Sequence, residues 1–429
     1  MPVIRRRAAA ALLAAVAAFA VAAPAAARPL AQAPAESGPD LAKGVAYLVA
    51  PANLQDGRYY ESFPGFPDFG LSIDGAFALA ATGSDDARLR AVTEFIRTGG
   101  VVGDGGFTVD AWLGIGTEFA SGGAIGKVAV LAQVTGYDPG AFGGHDLIAA
   151  LKDVTCAKTD EAAGCAGPGN YAWATSTFGQ VLGVVAQLRA GRAADAASPV
   201  TFLLGLQRAD GSFPSLIPAT DQDRDVDSTA MAAMALVLAG GHDSAVDAAL
   251  AWIAGQQKAH GGFPGAAGDS TNSTALAVQG LSLRADTYAA QLGKARAFLA
   301  QQQNSDGGFD VALGTDGSDL RSSTQAVSGA TGISFGTLLR DVHTPAASPS
   351  PSAASPSPSR AGSSPSPSAG SPTPSRTGGS PSASPTGAGG GLPVTGLPLT
   401  AIVAVALVLI VAGMALLIGL RRRTEGGGR

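Results

Sequence analysis

The chain has 429 residues, 46% hydrophobic and only 14% charged, and its 28 Lys and Arg against 33 Asp and Glu leave a formal charge of −5. Glycine (59) and proline (27) make up about a fifth of it, and the apolar excess sits largely at the two ends, so the average must be partitioned before it is used. Partitioned, it excludes a cytosolic enzyme, a nucleic-acid binder and a polytopic membrane protein.

Arg5, Arg6 and Arg7 precede an apolar run from Ala8 to Ala23, with small residues following at Ala25 and Ala27. A charged segment, an apolar core and an Ala-x-Ala site predict a secretory signal peptide over residues 1–27. The body follows at residues 38–343. Ten of the 28 basic residues lie outside 29–343, but only Glu425 of the acidic ones does, so this part carries 18 cations against 32 anions, near −14. Such a balance disfavours a phosphate-backbone partner. Cys156 and Cys165 are the two cysteines of an exported chain, and a disulfide closing a local loop is expected.

The body repeats itself. Leu204–Phe213 reads LGLQRADGSF, Ala254–Phe263 reads AGQQKAHGGF and Ala300–Phe309 reads AQQQNSDGGF. Each is followed by a second signature: Asp227-Ser228-Thr229-Ala230, Asn272-Ser273-Thr274-Ala275 and Ser322-Ser323-Thr324-Gln325. Degenerate copies precede them, Asp56-Gly57-Arg58-Tyr59 with Ser72, Asp104-Gly105-Gly106-Phe107 with Ser121, and Asn170-Tyr171 with Ser176-Thr177. Six copies of roughly 50 residues indicate a repeat architecture. Within one copy, Ser228 or a neighbour is expected to cap a helix over 229–239 that is apolar nearly all round, hence buried on both sides. An amphipathic outer helix over 244–258 follows, and the Gly-rich turn returns the chain to the next copy. The next copy places an inner helix at 274–283 and an outer one at 287–303.

Residues 344–391 are almost wholly Ser, Pro, Ala, Gly and Thr, with Arg360 and Arg376 the only charges. Too few apolar groups are present to offset the entropy of ordering, so a disordered wall-spanning stalk is expected. Leu392-Pro393-Val394-Thr395-Gly396 then precedes 24 uncharged residues, 397–420, and a basic tail, 421–429, opened by Arg421, Arg422 and Arg423. The apolar stretch is long enough for one transmembrane helix, and the positive-inside rule leaves the body outside the cell.

Two resemblances follow from these residues. The Leu-Pro-x-Thr-Gly, apolar helix and basic tail resemble the cell-wall sorting signal of Gram-positive surface proteins. That implies sortase cleavage between Thr395 and Gly396, with Leu392 and Pro393 in the recognition motif, and peptidoglycan as the covalent partner. The Gln-x-x-Asp-Gly-Gly-Phe turn resembles the repeat of the prenyltransferase and squalene-cyclase superfamily. That implies an all-α fold, a single α6/α6 toroid of six helical hairpins.

In such a toroid the capped N-termini of the inner helices collect at one rim. A ligand is expected there, among Asp74, Ser121, Ser176, Asp227, Asn272 and Ser323. Asp225-Val226-Asp227-Ser228-Thr229-Ala230 also resembles the Asp-x-Asp-Asp-Thr-Ala segment of class II terpene cyclases. The resemblance implies Asp227 as a proton donor with Asp225 as its neighbour, although Ser228 replaces the last Asp. Such an acid must stay protonated, which burial and like charges favour and a helix N-terminus opposes. A third reading takes the alternating carboxylates Asp221, Asp223 and Asp225 for calcium. Protein prenyltransferases hold zinc through Asp, Cys and His, and no cysteine falls at a repeat turn. The functional expectation is a secreted, wall-anchored protein on the surface of a Gram-positive bacterium, its toroid binding an extracellular small molecule or glycan. The alternative is a toroid enzyme of terpene-cyclase type with Asp227 as acid.

Overall fold

The computed structural model describes residues 38–103 and 106–343. The expected signal peptide, stalk, sorting motif, spanning segment 397–420 and basic tail lie outside them. Among the described residues no helix is long and apolar enough to cross a membrane.

Thirteen α-helices and two short hairpins make up this part. In chain order they are α1 (Leu41–Leu48), β1 (Glu61–Phe63), β2 (Phe66–Pro67), α2 (Phe69–Thr82), α3 (Asp86–Arg97), α4 (Val109–Leu113) and α5 (Gly122–Val134). There follow α6 (Leu147–Asp153), α7 (Thr177–Arg189), α8 (Ala193–Gly205), α9 (Val226–Ala239) and α10 (Asp243–Gln256). The last are β3 (Phe263–Gly265), β4 (Gly268–Ser270), α11 (Thr271–Leu281), α12 (Ala289–Gln301) and α13 (Leu320–Ala330). The expected inner and outer helices of the fourth and fifth copies are thus present, each within about three residues of its predicted ends.

Six helices form a closed inner ring: α2 packs on α5, α5 on α7, α7 on α9, α9 on α11, α11 on α13, and α13 back on α2. An outer helix backs each one, α3, α6, α8, α10 and α12 serving the first five in order. The sixth outer position, behind α13, is filled by α1 from the opposite end of the domain. The inner helices are apolar on nearly every face because they are covered on nearly every face; α9 buries Val226, Ala230, Met231, Ala233, Met234 and Leu236. Where α5 meets α7 the backbones nearly touch: a Cβ on Gly126 would lie 2.5 Å from the Gly183 nitrogen.

The Gln-x-x-Asp-Gly-Gly-Phe turn acts as a staple between neighbouring copies. The Gln207 side-chain amide donates to the Gly211 carbonyl at 3.1 Å and to Ala245 of the next outer helix at 2.8 Å. Gln257 does the same to Gly261 and Gln291, and Gln303 to Gly307 and Asp40. Asp40 also donates its own N–H back to Gln303, so the last turn latches onto the first helix and closes the ring. Gly211, Gly261 and Gly307 have φ near +95°, and a Cβ on each would press on a backbone carbonyl of the next outer helix, Ala248, Lys294 or Lys43.

In the last three copies the caps fall three residues earlier than expected. Asp225 caps α9, its carboxylate accepting the Ser228 N–H at 2.8 Å, and Ser270 and Asp319 cap α11 and α13. Asp68, Ser121 and Ser176 cap α2, α5 and α7. The Ser/Thr of the second signature sits one turn inside the helix instead. There Thr229, Thr274 and Ser323 each accept the N–H of the preceding motif phenylalanine, Phe213, Phe263 or Phe309. In the first copy Ser72 does this for Tyr60, and in the third the Gln180 side chain does it for Tyr171.

Cys156 and Cys165 are joined, closing a loop before α7.

Candidate functional site

Each inner helix turns one stripe toward the axis of the ring. Counted from the cap, the stripe falls at the second, sixth and ninth residues, the i, i+4, i+7 spacing of one helical face. On α9, α11 and α13 the second positions are Asp227, Asn272 and Arg321. On α2 and α5 the sixth positions are Asp74 and Lys127, and on α13 the sixth and ninth are Gln325 and Ser328. On helices otherwise almost wholly buried, Asp74, Lys127, Phe178, Asp227, Asn272 and Gln325 are partly open. They open inward.

A cavity of about 150 Å³ lies where α9, α11 and α13 begin, lined by Asp227, Asn272, Ser273, Asp319, Arg321 and Ser322. Three ion pairs stand beside it. Lys127 meets Asp74 at 2.7 Å with both side chains largely shielded, and Arg321 meets Asp68 at 2.9 Å and Asp74 at 3.9 Å. Deeper in, the space among Asp74, Phe77, Phe178, Leu276, Gln279 and Gln325 shrinks to about 20 Å³, room for a single water.

The floor is a segment that sequence reading left unassigned. Residues 331–343 cross the C-terminal ends of the inner helices. Arg189 donates to the Phe335 carbonyl at 2.8 Å, Gln279 to Ile333 at 2.7 Å, and the Arg340 N–H to Val134 at 2.7 Å. The Phe335 ring is buried and meets Phe77 edge-on at 5.2 Å. The ring of helices is therefore a cup, open at its N-terminal rim and stoppered below.

Asp227 is the distinctive group in the cup. One carboxylate oxygen, Oδ1, is shut from solvent and has no partner, while the Ser273 hydroxyl bonds the carboxylate. Burial, followed by the charge of Asp225, lifts its pKa to about 7, and the Ser273 contact lowers it only in part. Burial and the like charge of Asp225, the two influences expected to keep such an acid protonated, are thus the largest ones acting on it. Three further lumen atoms share the unsatisfied condition, Asn272 Oδ1, Gln325 Oε1 and Ser328 Oγ.

The structure brings Asp227, Asn272 and Asp74 to one lumen. Ser121 and Ser176 are caps whose oxygens accept Ala124 and Gly179 N–H groups, and they are not lumen groups. Ser323 is wholly buried and bonded to Phe309, so it is removed from the rim. Asp225, expected beside the acid, holds its place as a cap. The calcium reading dissolves. Asp223 spends its carboxylate on the Ser215 and Leu216 N–H groups, Asp225 on Ser228, and Asp221 engages Arg224 through its backbone carbonyl. Among the described residues no three His, Cys, Asp or Glu side chains converge as a metal site. Lys127, Arg321 and Gln325 were missed. A lone cation within the otherwise apolar run Gly122–Val134 was the available signal, since a charge on a helix buried all round must face something polar.

Residues 129–310 and 244–338 match the model of the prenyltransferase α/α-toroid domain. No curated protein matches the chain. Among solved structures, the type II terpene cyclase MstE from Scytonema, without ligand, is similar at 14% identity and a TM-score of 0.48, over 68% of this chain and 96% of that one. A protein from Actinoplanes is similar at 19% identity and 0.49, over 68% and 98%. A polysaccharide lyase is similar at 13% and 0.45, over 68% and 96%. Closed ring and paired helices make the body an α/α-toroid domain, and its residues 129–338 are the part that matches the prenyltransferase toroid model.

Proposed function

We propose that this is an exported, wall-anchored binding protein whose cup takes one small polyhydroxylated molecule or a single sugar unit at the cell surface. The observation that carries the reading is the set of unpartnered polar atoms on Asp227, Asn272, Gln325 and Ser328, all on the axial stripe. Buried polar atoms without partners cost free energy unless something fills them, and hydroxyls, which both donate and accept, suit a mixed set of carboxyl, amide and hydroxyl groups. The size fits the same conclusion. A cavity of about 150 Å³ falls below the ~300 Å³ lower end of pockets for drug-sized ligands. Display rests on the Leu392–Gly396 motif and the segments around it.

One observation favours the second reading, a toroid enzyme with Asp227 as acid: its proton is held to near neutrality. The small polar cavity and the Phe335 stopper fit a long isoprenoid poorly. The two readings separate in one experiment. Monosaccharides and small polyols are titrated calorimetrically against the wild type, Asp227→Asn and Gln325→Leu. Binding predicts heat with at least one of them, retained in Asp227→Asn and lost in Gln325→Leu. No heat from any member of the panel sinks the binding reading, and turnover of an isoprenoid that Asp227→Asn abolishes replaces it.

A further inference from the structure

Among the described residues, the four phenylalanines exposed by more than half of their surface, Phe63, Phe66, Phe107 and Phe119, lie on the hairpin and loops of the first two copies. They are not scattered. Phe63 and Phe66 face each other across the β1–β2 hairpin at 4.2 Å between ring centres. The hairpin runs directly into Asp68, the cap of α2, which ties these rings to the mouth of the cup. Phe69, just inside α2, meets Phe107 at 5.8 Å and Trp112 at 5.9 Å. Phe119 meets Trp173, on the loop before α7, at 5.8 Å.

Two clefts accompany the rings. One, of about 420 Å³, is walled by Phe63, Phe66, Phe107 and Trp112, with Ser62 and Asp68 supplying polar edges. The other, of about 400 Å³, lies beside the disulfide loop, walled by Trp173, Ile217 and Pro218, with Thr159, Glu161 and Thr175 as its polar members. The Trp173 indole is fixed in place. Its ring N–H donates to the Glu118 carbonyl at 2.8 Å, and its backbone N–H to Gly164 at 3.0 Å. Its φ of +58° is a conformation that bulky residues adopt only when their surroundings impose it.

We infer that this rim is a binding strip for a neutral polysaccharide, with successive pyranose rings lying on the exposed aromatic faces of the two clefts. An aromatic face bordered by hydroxyl and carboxylate groups matches a pyranose, which offers C–H groups on its faces and hydroxyls around its edge. Charge selects against the other extended partners. Glu118 and Glu161 stand along the strip on a body near −14, so polyanions and anionic lipid surfaces are repelled. Two aromatic clefts, rather than one, call for a polymer, because linked units raise affinity through effective concentration. The strip lies outside the cup, and its assignment stands whether or not the cup takes a ligand.

The test is affinity electrophoresis of the full chain in gels holding a series of neutral polysaccharides: α- and β-glucans, mannan and chitin fragments. At least one is expected to retard the wild type, and free monosaccharides are expected not to compete at equal mass. Phe66→Ala and Phe119→Ala remove rings that stand mostly in solvent, so both variants should melt with the wild type. Each is expected to weaken retardation about tenfold, and the pair to abolish it, if the two clefts act as linked sites. Gln325→Leu, within the cup, should leave retardation unchanged. No retardation by any polysaccharide overturns the proposal. So does retardation indifferent to both aromatic substitutions, or binding to anionic vesicles or to a proline-rich peptide that the same substitutions abolish.

Discussion

The side-chain oxygen of Ser323 accepts the backbone N–H of Phe309 at 2.8 Å, across fourteen residues, and donates its own O–H to the Asp319 carbonyl at 2.6 Å. One hydroxyl thereby joins the end of a repeat turn to the first turn of the next inner helix. Thr274 makes the same link between Phe263 and Ser270, and Thr229 between Phe213 and Asp225. All three oxygens belong to wholly buried residues.

Removing the hydroxyl while keeping the volume isolates that link. Thr229→Val leaves the Phe213 N–H buried without an acceptor, and Thr274→Val does so for Phe263. Each is expected to lower the unfolding free energy by about 1–3 kcal/mol. Thr229→Ser, which keeps the oxygen, should lose no more than a fraction of this. Urea denaturation measures both, and equal midpoints for Thr229→Val and Thr229→Ser would show that packing, not the hydrogen bond, holds the turn.

Ring closure offers a second measurement. Gly307 combines φ of +95° with a Cβ position pressed against the Lys43 carbonyl, whereas Gly314, at φ +81°, has open space around it. Gly314→Ala therefore carries only the left-handed backbone cost, about 1–2 kcal/mol. Gly307→Ala must in addition push α1 away from the last turn, loosening the Asp40–Gln303 latch. It is expected to destabilise clearly more than Gly314→Ala and to raise amide exchange in α1 before the rest of the ring opens. Uniform exchange across all inner helices would mean that α1 is not a separate closing element.

Those two measurements touch features of unequal legibility. The Gln and Gly of the turn announce themselves by recurrence at Gln207, Gln257 and Gln303, because each copy needs the same staple. The cap at Asp225 was hidden. A Ser-Thr pair three residues later looks like a cap, while its real task, accepting a distant N–H, depends on a partner that only the fold supplies. The same shift of one turn explains the rim. Asp227 and Asn272 fall on the axial stripe, but Ser323, two positions further from its cap than they are from theirs, points into the wall. The pairing of α1 with α13 spans the whole domain and leaves no local pattern. The stopper at Phe335 belongs to no repeat, so periodicity does not reach it.

Asp227 connects the cup to a pH dependence of stability whose sign is opposite to that of most aspartates. An unfolded aspartate releases its proton near 4, but in the folded chain burial and Asp225 hold it to about pH 7. Between those values the unfolded state binds fewer protons than the folded one, so the Asp227 contribution to stability is full below about pH 4 and is lost as pH rises through 7. Asp227→Asn carries no charge at any pH and resembles the protonated acid in shape. It should match the wild type at pH 4 and exceed it at pH 8. With cavity water screening part of the effect, the gain is on the order of 1–3 kcal/mol. Thermal or urea melts of both proteins at pH 4, 6 and 8 decide it. If the gap between them is constant with pH, Asp227 titrates like an exposed carboxylate and its oxygen is not shut in. If the wild type is the more stable at pH 8, the ionised form is the one the cup supports, through Arg321 or the α9 N-terminus, and the neutral-acid description of the site is reversed.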